Sequence, residues 1–494
     1  MTYLEKGLRN LGSSFTIGFL AVVAGYLTRM FLARTLAIED FGLVYAAITT
    51  VAFLTIFTNL GFGSAQAKYI PHYHSRNESE KVAGLINFSF YTRLAFSIII
   101  ACAITAFSGW FGEKYFKSAD PAIVYITALG IVLITVFNTL SRVFQGFQKI
   151  FLMSFMEFFQ KTLFLLLILL AFLNGRFMQG KYITGIYALS ILGAILFALP
   201  FFSRLRKSLK RAVINKELVK CVLIFCASAV MAQTGFMIVE NLNTVMLTYL
   251  GTLKDVAIFN VVLPSTMALI FLGKSLSSVL LPLISEMWAK GEKESIKPAV
   301  QLVNKYVLFI TLPVILAVIV FPEFFLKFFF GSSFVEGSNA LRVLCFGAFF
   351  LNLSLAYQAT LSAVDKIKYV TSSIIIAAVV NILLNLVFIP LWGYNGASIA
   401  TTITFFILLS QNIYNLREFI SLKKEFAQLI KLFGIGVLFL AVAFALRGIR
   451  ADNLITVAAV LVSCSLVYTA FCFATGIVSI KEFRFLINKA RGAR

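Results

Sequence analysis

The chain has 494 residues, of which 60% are hydrophobic and only 13% are charged, and its mean hydropathy is +0.92. Soluble globular domains carry about 25% charged residues, so this composition excludes an ordinary soluble enzyme or binding module. A formal net charge of +22 is also typical of nucleic-acid-binding proteins. Here, however, the basic residues are distributed over many short connections, and we predict no nucleic-acid partner.

Apolar residues are grouped in blocks of about 20, the length that crosses a lipid bilayer as an α-helix. The blocks lack the alternating pattern of the strands of a membrane β-barrel. Because lipid tolerates only helices and closed barrels, we predict an all-α polytopic membrane protein. In chain order, the fourteen predicted spans are 10–33, 41–62, 84–108, 121–143, 151–173, 182–202, 218–249, 256–281, 303–322, 339–363, 369–391, 394–416, 429–446 and 454–478.

Lysine and arginine are concentrated in every second connection between these spans. Connections rich in these residues stay in the cytoplasm, so the alternation sets the orientation of the chain. The number of spans is even, and we therefore predict a cell-membrane protein with both termini in the cytoplasm. The most basic connection is "SRLRKSLKRAVINKE" at 203–217, directly after the sixth span.

A faint internal repeat relates the two parts of the chain on either side of that connection. "IEDFGLVYAA" (38–47) resembles "LKDVAIFNVV" (253–262) at an offset of 215, and "GFQKIFLMS" (146–154) resembles "AVDKIKYVT" (363–371) at an offset of 217. Six spans per repeat give two lobes of equal orientation, related by a pseudo-two-fold axis along the membrane normal. Transporters that move one half against the other have this organisation.

The predicted domain organisation follows from the repeat. It consists of two six-helix lobes, a linker and a C-terminal addition of two helices with a basic tail: 1–202, the N-lobe; 203–217, the cytoplasmic linker; 218–416, the C-lobe; and 417–494, the last two spans and the tail.

Ionisable side chains within the spans are costly, so each one is a candidate functional residue. They are Arg29, Arg93, Glu157, Lys161, Glu240 and Lys274. Arg342 lies near the outer end of its span, where its side chain can reach water, and we leave it out. Four cations against two acids make an interior that suits a large anionic headgroup and does not suit organic cations.

Each of these residues also has a purely structural interpretation. Arg29 either extends to the membrane surface, pairs with Glu240, or binds a phosphate group through its paired donors. Glu157 and Lys161 are four residues apart and therefore lie on one helix face, where they neutralise each other or present Lys161 to an anion. Arg93 either lines the transport path or extends to the cytoplasm, and Lys274 is a candidate cation of the transport path on about the same helix face as Asn260.

The seventh span carries a polar stripe, since Gln233, Glu240 and Thr244 recur at helical spacing. Such a stripe predicts a water-accessible cavity, and Glu240 is the candidate for a group that couples transport to an ion.

We expect no cofactor and no metal site. "ALIFLGKS" (268–275) differs from a nucleotide-binding loop at its first glycine and lies inside an apolar helix. His72 and His74 have neither a further histidine nor a nearby cysteine to complete a metal site.

Three segments identify a family resemblance. "FLARTLAIEDFGLVYAAITTVAFLTIFTNLGFGSAQAKYIP" (31–71), "FGSSFVEGSNALRVLCFG" (330–347) and "NILLNLVFIPLWGYNGASIATTIT" (381–404) resemble the polysaccharide and oligosaccharide flippases of the multidrug/oligosaccharidyl-lipid/polysaccharide exporter superfamily. Fourteen spans is the number expected for that family. In "ENLNTVMLTYL" (240–250), Asn243 stands where many relatives carry an aspartate, so any ion-coupling role of that acid is absent or has moved to Glu240.

The resemblance implies a function. It implies a flippase that carries a lipid-linked saccharide from the inner to the outer leaflet by alternating access, without catalysing a reaction. The diphosphate of the substrate would occupy a cationic cavity between the halves, formed by Arg29, Arg93, Lys161 and Lys274, with Glu157, Gln233, Glu240 and Asn243 as coupling or polar lining residues.

The remaining expectations concern partners and alternatives. The expected partners are the lipid-linked saccharide, membrane lipids and a coupling ion, and we expect a monomer. Two alternatives stay open, which are a multidrug or cation antiporter of the same superfamily and a membrane glycosyltransferase or polymerase of the same pathway. The short outer connections disfavour the enzyme.

Overall fold

The computed structural model describes the backbone of residues 3–175, 178–207, 209–210, 212–418, 430–431, 434, 436–437, 439, 441 and 454–475. It describes their side chains as well, except those of residues 3–15, 228–240, 272, 276, 279, 454–458 and 461. The described secondary structure is entirely helical, which confirms the predicted all-α class. Helices satisfy every backbone hydrogen bond within one segment, as a lipid environment requires.

The first half of the chain forms helices that follow the predicted spans closely. They are α1 (Tyr3–Thr35), α2 (Ile38–Asn59), α3 (Phe62–Ser75), α4 (Ser79–Ala106), α5 (Ser108–Trp110) with a π-helical turn (Phe111–Tyr115), α6 (Ala122–Gly146), α7 (Ile150–Leu173) and α8 (Gly180–Lys207). The short helix α3 was not predicted, because its mixed polar and apolar residues do not form a membrane-spanning run.

The second half continues the pattern. Its helices are α9 (Lys216–Leu250), α10 (Leu253–Ala289), α11 (Lys293–Val320), α12 (Pro322–Phe330), a 3₁₀ turn (Ser332–Gly337), α13 (Ser338–Ala363), α14 (Ile367–Leu416) and α15 (Leu454–Ala474). The predicted spans eleven and twelve both belong to α14, which bends at Gly393. Most of the predicted span at 429–446 lies outside the described residues.

Ten of the described helices are long and apolar enough to cross a membrane. Several extend beyond the predicted spans, for example α8 to Lys207 and α10 to Ala289. An apolar run marks only the part of a helix that contacts lipid, whereas hydrogen bonding continues into the polar residues beyond it. The multi-pass membrane character predicted from composition is therefore confirmed.

The chain divides into two compact units, which are described separately. The first consists of residues 1–261, 329–333 and 385–397, and the second of residues 262–328, 334–384 and 398–494. Helix α9 belongs to the first unit, although the predicted lobe boundary lies before it, at 203–217.

Two buried clusters hold the first unit together. One joins α3, α4, α6 and α9 through Phe62, Leu85, Val143 and Leu218. The other joins α6, α7 and α8. Very close packing brings α2 to the start of α10, since a Cβ atom on Gly42 would collide with the carbonyl oxygen of Leu253. Small residues allow such close approach of helices where lipid offers no hydrophobic driving force.

Candidate functional site

Arg29 lies in the last two turns of α1 and is half-buried. Its guanidinium carbon is 4.6 Å from the centre of the Tyr45 ring on α2. Its Nε atom is buried and makes no hydrogen bond among the described residues. An aromatic face holds a guanidinium in one orientation. Its N–H donors then remain available to a planar or tetrahedral anion.

Lys161 on α7 is next to the same part of α1. A Cβ atom on Gly25, one turn before Arg29, would be 3.5 Å from the Cδ atom of Lys161. The ammonium group of Lys161 forms a 2.8 Å ion pair with Glu157, and the two side chains are 30% and 55% exposed. Arg29 and Lys161 therefore lie along one seam between α1 and α7, with Glu157 neutralising part of their charge.

Arg93 differs from these two residues because it is 1% exposed. It lies in the middle of α4, and its Nε and Nη1 atoms make no hydrogen bond among the described residues. In this structure it is enclosed by the helices of the first unit and is not on a surface that a bulky headgroup could contact.

Lys274 belongs to the second unit, on an exposed face of α10. The other three predicted cations belong to the first unit. Arg342, also in the second unit, donates to Glu323 at 2.7 Å and to Asn339 at 2.9 Å, so its charge has a structural partner.

The polar stripe predicted on the seventh span is only partly described. The side chains of Gln233 and Glu240 lie outside the described residues. Thr244 is 2% exposed and its hydroxyl accepts a 3.2 Å hydrogen bond from Asn260 on α10. At this end the stripe is thus packed between helices.

Asn243 is completely buried, and its side-chain oxygen accepts a 2.6 Å hydrogen bond from the amide of Asn385 on α14. Both residues belong to the first unit. An amide in place of a carboxylate makes this contact between α9 and α14 neutral.

Two carboxylates that the sequence did not single out occupy equivalent positions in the predicted repeats. Asp40, in the first turn of α2, accepts a 2.8 Å hydrogen bond from the backbone of Gly180 at the start of α8. Asp255, in the first turn of α10, accepts a 3.2 Å hydrogen bond from the backbone of Tyr394. The first residues differ by 215 positions and the second by 214, which supports the predicted repeat.

Near these carboxylates, the connection between α4 and α6 contacts the rest of the first unit. The Tyr115 hydroxyl is 2.8 Å from that of Thr50 on α2, and Trp110 packs on Tyr249 of α9. Burial lowers the pKa of Lys117, although the carboxylate of Asp255 opposes this effect. According to the predicted orientation, these contacts lie on the outer side of the membrane.

A second segment contacts the outer part of α1. Arg34 donates a 3.3 Å hydrogen bond to the carbonyl of Phe329, and Phe330 packs edge-on against Tyr26 at 5.8 Å. Among the described residues, no group of three His, Cys, Asp or Glu side chains could hold a metal ion.

Comparison with known families places this arrangement in context. The family model "Polysaccharide biosynthesis protein" matches residues 8–288, more than half of the chain. The chain belongs to the polysaccharide biosynthesis protein family. A second model, "MatE", matches residues 228–387. Both matches agree with the predicted membership of the multidrug/oligosaccharidyl-lipid/polysaccharide superfamily, which is confirmed.

Relatives of this family member include the uncharacterized membrane protein MJ1068 of Methanocaldococcus jannaschii, which is 24% identical over 509 aligned residues that cover 99% of each chain. The probable low-salt glycan biosynthesis flippase Agl15 of Haloferax volcanii is 22% identical over 157 residues, which cover 32% of this chain and 33% of that protein. The lipid II flippase MurJ, in an inward closed conformation, has a similar fold. Its TM-score is 0.73 at 14% identity, over 95% of this chain and all of MurJ.

Proposed function

We propose that the protein is a flippase that moves a lipid-linked saccharide from the inner to the outer leaflet of the cell membrane by alternating access. Membership of the polysaccharide biosynthesis family supports transport in glycan assembly, and the flippase names of the partly matching relative and of MurJ agree with it. The substrate would carry a polyprenyl diphosphate. The protein would catalyse no covalent step.

The observation that carries this proposal is the cationic seam of α1 and α7. Arg29 is half-buried, has an unbonded Nε atom among the described residues, and rests on Tyr45. Its neighbour Lys161 is balanced by Glu157. A diphosphate carries several acceptor oxygens, and a guanidinium binds two of them at once.

Orientation, partners and energy coupling complete the proposal. The basic connections favour an orientation in which both termini would lie in the cytoplasm. Membrane lipids surround the helices, and Glu240 would couple transport to an ion. The protein would act as a monomer.

A multidrug or cation antiporter is the second candidate, because the MatE model matches residues 228–387. The excess of cations over acids within the spans disfavours it. A cation as substrate needs acids or an aromatic cage at its site.

The test is flipping of a fluorescent polyprenyl-diphosphate oligosaccharide in proteoliposomes. The wild type should flip it, Arg29→Ala should not, and Arg76→Ala should flip it normally, because Arg76 is exposed at the end of α3. Flipping that survives Arg29→Ala would remove Arg29 from the site. A wild type that exchanges organic cations for an ion gradient, and flips no saccharide, would establish the antiporter instead.

A further inference from the structure

Helices α3, α4 and α6 of the first unit enclose a group of hydrogen-bonding side chains whose buried atoms lack partners. The Arg93 side chain is 1% exposed, and Ser89 and Gln66 are completely buried. The Nε and Nη1 atoms of Arg93, the Ser89 hydroxyl and both amide atoms of Gln66 make no hydrogen bond with any described residue. Buried polar groups normally have partners, so this group indicates an occupant.

The helix geometry brings these side chains to one level. Ser89 and Arg93 are four residues apart and share a face of α4. Side chains on a helix point toward its N-terminus, so Arg93 extends back over Ser89. Helix α3 runs antiparallel to α4 after a short turn, and Phe62 on α3 contacts Phe88 on α4 with ring centres 5.7 Å apart. Gln66, one turn after Phe62, therefore points back toward the level of Ser89.

Arg142 on α6 contributes a second positive charge. Its Cγ and Nε atoms would be 3.3 Å from a Cβ atom on Gly63, which lies one turn before Gln66 on α3. The Arg142 guanidinium donates to Gln145 at 2.8 Å, and no described carboxylate forms an ion pair with either arginine.

We propose that Arg93, Ser89 and Gln66 enclose a small monovalent anion, of which chloride is the abundant representative. The available groups are a guanidinium, a hydroxyl and an amide, which can all donate hydrogen bonds to one centre. A buried cation without a counter-charge is strongly unfavourable, and a bound anion removes that penalty. The complete burial of Ser89 and Gln66 limits the occupant to a few atoms and excludes a saccharide diphosphate.

This anion site would stabilise the first unit independently of transport. It rests on the contacts of α3, α4 and α6 and does not require the proposed flippase activity. A loss of flipping activity in a variant at another position would therefore not contradict the proposed anion site.

The test is thermal unfolding of the purified full chain in detergent, in sodium chloride and in sodium gluconate at equal ionic strength. The wild type should unfold at least about 2 °C higher in chloride, with a saturating concentration dependence, because an anion that binds only the folded state stabilises it. Arg93→Met should lose this difference. In gluconate it should unfold at or above the wild-type temperature, because the uncompensated charge is gone.

Arg76→Gln is the matched control, since it removes an exposed arginine from the end of α3 and should keep the chloride shift. Equal unfolding temperatures of the wild type in both salts would overturn the proposal and assign the space to water. A chloride shift that persists in Arg93→Met would overturn it as well.

If Arg93→Met does not fold, Ser89→Ala provides the second test. It should raise the chloride concentration at half-maximal stabilisation several-fold, because one donor is lost. Crystals grown in sodium bromide should show an anomalous peak beside Arg93, and the absence of that peak would contradict the site.

Discussion

In the first of the two predicted repeats, the guanidinium of Arg29 on α1 lies 4.6 Å from the ring of Tyr45 on α2. The residues 215 positions later are Thr244 on α9 and Asn260 on α10, and they meet in a 3.2 Å hydrogen bond. The same pair of positions thus joins the first two helices of each repeat. One pair presents a cation, and the other is neutral and packed between helices.

The carboxylates at the start of the second helix of each repeat differ from these pairs. Both repeats have an aspartate at this position, and both aspartates make the same kind of contact. Asp40 and Asp255 each accept a backbone hydrogen bond from the beginning of a distant helical segment. The comparison separates two kinds of position. Those that hold the ends of helices are alike in the repeats, whereas those in the interior differ in charge. Lys161 is another interior position that differs in charge between the repeats, since the residues 215 and 217 positions later are Ile376 and Ala378.

The largest effect is expected from substituting the interior residues that occupy equivalent positions in the two repeats. Arg29→Ala should reduce flipping at least about 100-fold, because a charge-assisted contact to the diphosphate is lost. Thr244→Ala, at the equivalent position, should change flipping less than about threefold. The measurement is the initial rate in proteoliposomes at equal protein density. Similar losses in the two variants would contradict a cationic role confined to the first repeat.

Next in size is the effect of a methyl group beside the carboxylate that both repeats share. Gly393 has φ 54° and ψ −130°, and a Cβ atom added there would collide with Asp255. Gly393→Ala should therefore lower the free energy of unfolding by about 2–3 kcal/mol. A Cβ atom on Gly180 would be 3.0 Å from Asp40, and Gly180→Ala should cost less. Thermal unfolding in detergent measures both. Equal losses would show that the backbone at Gly393 is not under special constraint.

A smaller effect is expected from the carboxylates themselves. Asp255→Asn should destabilise the first unit by about 1–2 kcal/mol, because Asp255 also accepts hydrogen bonds from the backbone and hydroxyl of Thr252. Asp40→Asn should have a smaller effect, since its described bond is to Gly180. Denaturant unfolding of the two variants gives the ranking. A larger loss for Asp40→Asn would reverse the interpretation of the two contacts.

The smallest effect is expected at the ring beneath Arg29. Tyr45→Leu removes the aromatic face and should cost about 0.5–1 kcal/mol of stability. It should also raise the substrate concentration at half-maximal flipping severalfold, because the guanidinium is less well oriented. Tyr45→Phe keeps the face and serves as the control. Wild-type behaviour of Tyr45→Leu would show that Arg29 does not depend on the ring.

Among the candidate residues, the sequence predicted pairwise contacts only where they are local. Glu157 and Lys161 form the ion pair that their spacing of four residues implies. The burial of Arg93 was not predictable, because a mid-helix arginine has the same sequence pattern whether it faces a cavity or a packed interface. The role of Asp255 was missed for a related reason, since its partner Tyr394 is 139 residues away along the chain.

The sequence by itself determined the membrane class, the approximate spans, the family and the repeat. These properties depend on hydrophobic length, loop charge and local motifs, which each segment carries independently of its neighbours. Only the tertiary structure decided which ionisable groups are enclosed and which remain accessible, and which end of one helix holds the start of another. Such contacts join residues that are distant in the chain, so they depend on how neighbouring helices pack and not on the pattern within any one of them.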